Sequence, residues 1–156
     1  MKIRYWLLAM SFIFLSCGRV ADDVEANYGI IPMPNELAPM QGVYVLQGKK
    51  TVAVPSGEAA MKVFHYLEDA LKNTSVTLKG ISETGKADIC LSIDNSLPNE
   101  AYTLEVSSDR INISSSETAV GFFYGVQSLV QLMPAAIYDG DRKYEGKIRI
   151  PAVSIT

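Results

Sequence analysis

One histidine and two cysteines are all that 156 residues offer to metal, triad and disulfide chemistry. His65 stands in Phe64-His65-Tyr66-Leu67, followed by Glu68 and Asp69. A zinc site needs further ligands at suitable spacing, and no H-E-x-x-H is present. The residue fits the solvated flank of a helix instead. Ser114-Ser115-Ser116 has no histidine-based partner, so helix capping explains it better than nucleophilic catalysis. Gly140 and Gly146 lack the strand–loop–helix context of a phosphate cradle. Acidic neighbours occur at Asp22-Asp23, Glu68-Asp69 and Asp139/Asp141, in tether, helix-surface and loop contexts. Paired catalytic carboxylates need fixed separation and unequal environments, which these positions do not offer. No catalytic residue, metal site or cofactor is therefore expected. Excess basic charge is also lacking. The formal charge is -3, which does not suggest a nucleic-acid partner.

What is present begins at the amino terminus. Lys2 and Arg4 precede an almost unbroken apolar run from Tyr5 to Leu15, and Ser16-Cys17-Gly18 follows. This is the pattern of a secretory signal, too short for a stop-transfer helix. Leu15-Ser16-Cys17 resembles the bacterial lipobox, in which the cysteine is lipidated and becomes the first mature residue. An ordinary signal with a chance cysteine is the alternative. Residues 18–29 read as a flexible acidic tether, and Ala21-Asp22-Asp23 resembles the export signal of Bacteroidetes surface lipoproteins. The expected location is the cell envelope, lipid-anchored at the outer membrane, with the cell surface as one destination. Removing residues 1–16 takes away Lys2 and Arg4 and no acid, lowering the charge from -3 to -5. Cys90 would then be the last free cysteine, and its setting in Ala87–Ile93 reads as a small buried hydrophobe.

Residues 30–156 fit one domain with one core. Ile30–Leu37 is extended, because residues before proline avoid helical geometry. Gly42–Leu46 and Thr51–Val54 read as strands around a tight connection at Gly48. A helix is expected over Glu58–Lys72, and strands over Val76–Lys79 and Ala87–Ile93, the latter buried on both faces. Tyr102–Val106 and Arg110–Ile113 read as a hairpin with one solvated face. A second helix, capped by Ser116 with Glu117 at its positive end, runs to Met133 and stops at Pro134. Lys147–Thr156 is extended again. Both helices carry apolar residues at i, i+3, i+4, i+7, i+10 and i+11, starting from Ala60 and from Ala119. The expected fold is an α/β (α+β) sandwich: a mostly antiparallel or mixed sheet with two helices on one face.

The second helix accepts Gly121 and Gly125, each costing about 1 kcal/mol relative to alanine. On a helical wheel both fall with Leu132 beside the Phe122–Leu129 edge of the apolar stripe. Such a seam lets another backbone or a bulky side chain come close. It would serve a contact with another domain, or close packing on this domain's own sheet. Tyr138 and Tyr144 flank the last loop, where they would either stack on sugar rings or anchor the loop over the core.

Three stretches carry a family resemblance. They are IIPMPNEL, AYTLEVSSDRINISSSETAVGFFYGVQSLVQLMP and IRIPAVSIT. Together they resemble the amino-terminal domain of family-20 glycoside hydrolases, the β-N-acetylhexosaminidases. The resemblance implies an α/β sandwich with two helices on one face of a sheet. It also implies a (β/α)8 barrel as partner, carrying an adjacent Asp-Glu pair that acts with the substrate's own N-acetyl group. That pair has no counterpart at any position here. The expected role is a non-catalytic module that buttresses a barrel. The competing expectation is a stand-alone surface lipoprotein that binds glycan or a protein partner.

Overall fold

A computed structural model describes residues 28–116, 119–140 and 142–156. The signal, Cys17 and most of the tether lie outside these residues, as do Glu117 and Thr118 at the expected cap of the second helix and Asp141 of the last loop. Tyr28, inside the expected tether, is already packed: its hydroxyl donates to the Ala152 carbonyl at 3.3 Å.

The order of elements is β1 (Leu37–Leu46), β2 (Lys49–Ala53), α1 (Glu58–Ala70), β3 (Thr77–Ile81), β4 (Ile89–Ile93), β5 (Tyr102–Val106), β6 (Ile111–Ser115), α2 (Ala119–Gln131) and β7 (Ile148–Ile155). The strands form one seven-stranded sheet in the order β1-β7-β5-β6-β4-β2-β3. The sheet is mixed. Pairs β2/β3, β2/β4 and β4/β6 are parallel, while β5/β6, β5/β7 and β1/β7 are antiparallel. Crossovers make the parallel pairs: α1 carries the chain from β2 to β3. The β5–β6 hairpin forms as expected, closed by a Ser107 N–H bond to the Arg110 carbonyl at 2.9 Å.

Two expectations need correction. β1 and β2 both form, but they do not pair with each other; each sits near an opposite edge of the sheet. Five strand spacings would separate them by about 24 Å in a flat sheet. The connection Gln47-Gly48 supplies three Cα steps, at most about 11 Å. The sheet must therefore curl, bringing the end of β1 back toward β2. The second correction concerns β4. Ile89, Cys90 and Leu91 are buried, but Ser92 is half-buried and Ile93 is exposed. Only the first half of that strand is covered on both faces.

Both helices contribute to a single core. Val63, Phe64 and Leu67 of α1 join Phe122, Val126, Leu129 and Val130 of α2 against Val52, Leu91, Leu104 and Ile113 of the sheet. Each such side chain contributes about 1.5–3 kcal/mol when fully buried. The helices touch each other through Tyr66 and Phe123, whose ring centroids lie 5.1 Å apart.

Candidate functional site

The glycine seam meets this domain's own sheet. A Cβ on Gly121 would overlap the Ser115 Oγ and the Ala101 carbonyl oxygen. One on Gly125 would lie 2.6 Å from Ile113 Cγ2 and 3.3 Å from Tyr102 Cδ2. Both glycines are buried, and so is Leu132. The glycines let α2 settle onto β5 and β6 at a distance no side chain would permit. Ser115, fully buried, donates to the Ala101 carbonyl at 2.9 Å. One turn further on, the Tyr102 and Ser128 hydroxyls share a 2.6 Å bond, tying β5 to α2.

The flank of α2 next to the seam borders an open groove of about 510 Å³, which Ala101, Tyr102 and Ser128 line as well. Its walls are the extended segment Ile30–Asn35, the Leu97-Pro98 turn, and Tyr124, Gln127 and Gln131 of α2; Thr156 closes one end. Gln131 holds the extended segment at two points. Its Oε1 accepts from the Ile31 N–H at 2.8 Å, and its Nε2 donates to the Ile31 carbonyl at 3.2 Å. Ile31 and Met33 consequently project outward, 80% and 88% exposed. A second, apolar groove of about 390 Å³ runs between the helices, lined by Ala59, Tyr66, Val120 and Phe123, and shares Tyr124 with the first.

The most connected charged group lies elsewhere, where the sheet curls. Asp88 accepts from the Thr51 N–H at 2.8 Å, the Thr51 hydroxyl at 2.7 Å and Lys50 Nζ at 3.0 Å. Burial alone would raise the Asp88 pKa, but the Thr51 and Lys50 bonds outweigh it and the net shift is down. Burial alone would lower the Lys50 pKa, but Asp88 and the neighbouring Tyr44 outweigh it and the net shift is up. Lys50 Nζ sits 5.2 Å from the centroid of the Tyr44 ring. The Tyr44 hydroxyl is buried with no partner at ordinary hydrogen-bond distance; burial pushes its pKa up, and the nearby Lys50 ammonium offsets part of that rise.

The remaining candidates take structural places. His65 is exposed and meets Glu68 Oε2 at 2.8 Å, one helical turn away. Tyr138 donates to the Val130 carbonyl at 2.8 Å, and burial together with Tyr66 pushes its pKa up to about 12. Tyr144 is half-buried, its N–H bonded to the Asn73 carbonyl at 2.7 Å, with its ring over Gly146. Both tyrosines anchor the loop between α2 and β7. Cys90 is buried in a small cluster with Ala53 and Ala87, and burial pushes its thiol pKa up. Among the described residues, three carboxylates have clear shifts: Asp88, Asp94 and Glu58. All move down, toward the ionised form, whereas a general acid needs the opposite.

The fold and these sites can be set against known proteins. The family model for glycosyl hydrolase family 20, domain 2, matches residues 27–156. This chain belongs to family 20. A β-hexosaminidase of Porphyromonas gingivalis is 29% identical over 133 residues, covering 79% of this chain and 17% of that protein. The family-20 β-N-acetylhexosaminidase of Streptomyces coelicolor is 29% identical, with a TM-score of 0.71 over 81% of this chain and 25% of its own. The N-acetyl-β-hexosaminidase of Streptomyces plicatus gives 26% and 0.71 over the same shares. The chain thus spans about a quarter or less of the length of these relatives. It is domain 2 of a β-hexosaminidase fold, covering only part of such an enzyme.

The sequence marks Gly121, Gly125 and Leu132 as a seam and leaves its partner open between another domain and this domain's own sheet; both grooves and the Asp88 cluster are not legible in it. The Gln131 clamp joins residues 100 apart in sequence, and no local pattern announces it. Lys50-Thr51 and Asp88 were individually visible as polar residues beside apolar runs, without a sign that they meet.

Proposed function

We propose that this chain is the non-catalytic domain of an exported, lipid-anchored β-N-acetylhexosaminidase. Hydrolysis of terminal N-acetylhexosamine residues would reside in a (β/α)8 barrel outside the matched segment. The observation that carries this reading is the domain-2 match over residues 27–156, in a chain that covers only 17% of its P. gingivalis relative. The side-chain chemistry supports it. A hexosaminidase needs a general acid and an acetamido-orienting carboxylate fixed around one sugar. The charged pair closest to a built site, Lys50–Asp88, is held ionised at the curl of the sheet, away from either groove. Export and anchoring rest on the basic start, the apolar run and Leu15-Ser16-Cys17.

The purified chain is expected to fold and to leave an aryl N-acetylglucosaminide unhydrolysed. Turnover that survives repurification, and that disappears on changing one of its own carboxylates, would overturn the reading.

A further inference from the structure

Strands β6, β4, β2 and β3 are neighbours and run parallel, so their carboxyl ends lie together at one end of the sheet. There the chain leaves β2 toward α1 and β3, and leaves β4 the opposite way, toward β5 beyond β6. Ligands of open parallel sheets settle in the crevice at such a point of divergence. This sheet opens a cavity of about 190 Å³ at that point, between the chain leaving β2 at Ala53-Val54-Pro55 and the last three residues of β4. It shares no lining residue with either of the larger grooves. The backbone beside it is half paired. β2 meets β4 only through Val52 with Ile89 and Ala53 with Cys90. Val54 then gives its N–H to the Ile81 carbonyl of β3 at 3.0 Å, and Pro55 has no N–H to give. β4 continues alongside β6 to Ile93. The Asp94 N–H bonds to the Ser115 carbonyl of β6 at 2.8 Å, so by the alternation of a parallel ladder the Ile93 N–H and carbonyl point the other way, toward the place β2 has left. Among the described residues, no strand lies beside them there.

We propose that this notch binds a short extended peptide, an apolar residue with a lysine or arginine close by, which adds to the open edge of β4 in line with β2. An unpaired strand edge is a template for another chain, and strand addition draws affinity from main-chain bonds and selectivity from pockets for alternate side chains. The geometry sets the partner's chemistry. A side chain directed to the helix side meets Leu91, Ile93 and Val54, and a cavity of about 190 Å³ limits it to one of valine or isoleucine size. The following side chain turns to the face of Ser92, where a small polar group suits. Charge sets the flank. Glu58 is paired with Lys62 and Glu83 with Lys86. The Asp94 carboxylate, next after Ile93, is held among the described residues by Ser96 and by no cation. A basic residue of the peptide supplies one.

The test titrates the synthetic peptide acetyl-Lys-Val-Thr-Val-Lys-amide into the purified, isotope-labelled chain and follows backbone amide shifts by NMR. Saturable shifts are expected at Ala53, Val54, Leu91 and Ile93, with the amides around Tyr124 unmoved. Ile93→Pro removes the N–H that the peptide needs and spares the bonds to β6, so it should weaken binding about tenfold without lowering the melting temperature. The same peptide N-methylated at both valines probes the main-chain bonds with no change to the protein and should fail to bind. Asp94→Lys should weaken this peptide and favour acetyl-Glu-Val-Thr-Val-Glu-amide. Absence of saturable shifts, shifts confined to the Tyr124 grooves, or equal binding of the N-methylated peptide would overturn the proposal. A concentration-dependent dimer that the peptide dissociates would make a second copy of the chain the occupant, and would overturn it too.

Discussion

Gly121→Ala is the sharpest perturbation of the contact between α2 and the sheet. In an isolated helix this change stabilises by about 1 kcal/mol. Here the new methyl group would overlap the Ser115 Oγ and the Ala101 carbonyl oxygen. The carbonyl belongs to the backbone and cannot rotate away. Shifting the helix outward costs about 1–3 kcal/mol, as overpacking does elsewhere. Turning the Ser115 hydroxyl aside breaks its 2.9 Å bond to Ala101 and leaves a fully buried group unpaired, at about 1–3 kcal/mol more. The net expectation is a loss of about 2–3 kcal/mol, within the range that a domain of this size survives. In urea this moves the midpoint down by roughly 1–2 M. Gly125→Ala provides the internal comparison. Its obstacles are Ile113 Cγ2, a methyl on a stiff and fully buried β-branched side chain, and the edge of the Tyr102 ring, with no backbone atom among them. The loss should be smaller than at Gly121, about 1 kcal/mol after the propensity gain. Equilibrium unfolding of the two variants, with Ser115→Ala combined with Gly121→Ala as a coupling check, measures the order. A Gly121→Ala protein more stable than wild type, or less affected than Gly125→Ala, would refute this account of the seam.

Asp88→Asn should cost about 1–3 kcal/mol near neutral pH and progressively less in acid. The folded-state pKa of Asp88 is depressed, so its contribution is present above the ordinary value near about 3.9 and is lost as pH falls through the lower folded value. Lys50 has the opposite sign and keeps its contribution until alkaline pH. Urea titrations at pH 7 and pH 3 that gave equal losses would contradict this assignment. Tyr44→Phe removes a buried hydroxyl that has no partner at ordinary hydrogen-bond distance, so stability should hold or rise by up to about 1 kcal/mol. A loss above about 1.5 kcal/mol in the same assay would mean that the hydroxyl is bonded. Cys17→Ala should move the exported protein from the detergent phase to the aqueous or precursor fraction. Equal partitioning of mutant and wild type would remove the lipid anchor from the proposal.

The elements were legible because their signals are local. Matching apolar stripes marked α1 and α2, and Ser107-Ser108-Asp109 between two alternating runs marked the β5–β6 hairpin. Sheet order was not legible, because it depends on pairings that no neighbour reports. Gln47-Gly48 makes the tight connection the sequence suggests, yet β1 pairs with β7, about a hundred residues away, and β2 with β3 and β4. Only a curled sheet reconciles the short connection with that order. The same limit hid the grooves. Ile31 and Met33 are ordinary apolar residues in sequence, and their exposure follows from the Gln131 clamp.

The breaches of local rules are not spread evenly over the domain. The sheet face away from the helices carries Ser92, Thr103, Glu105, Asn112 and Ser114 at alternate positions of β4, β5 and β6, with Cys90 buried among them. The helix layer breaks two rules. It places glycines at two interior helical positions, and it leaves large apolar groups facing outward at Val120 and Tyr124 of the same helix. Natural sequences tend to depart from local consistency where function requires it. The two breaches are connected in space. The glycines draw α2 down onto β5 and β6, and Tyr124 on its outer flank lines both grooves. Ala101 meets Gly121 and Tyr102 meets Gly125, and both also line the first groove together with Ser128, which bonds the Tyr102 hydroxyl. The close approach accepted at Gly121 and Gly125 and the wall of that groove are therefore built from the same residues.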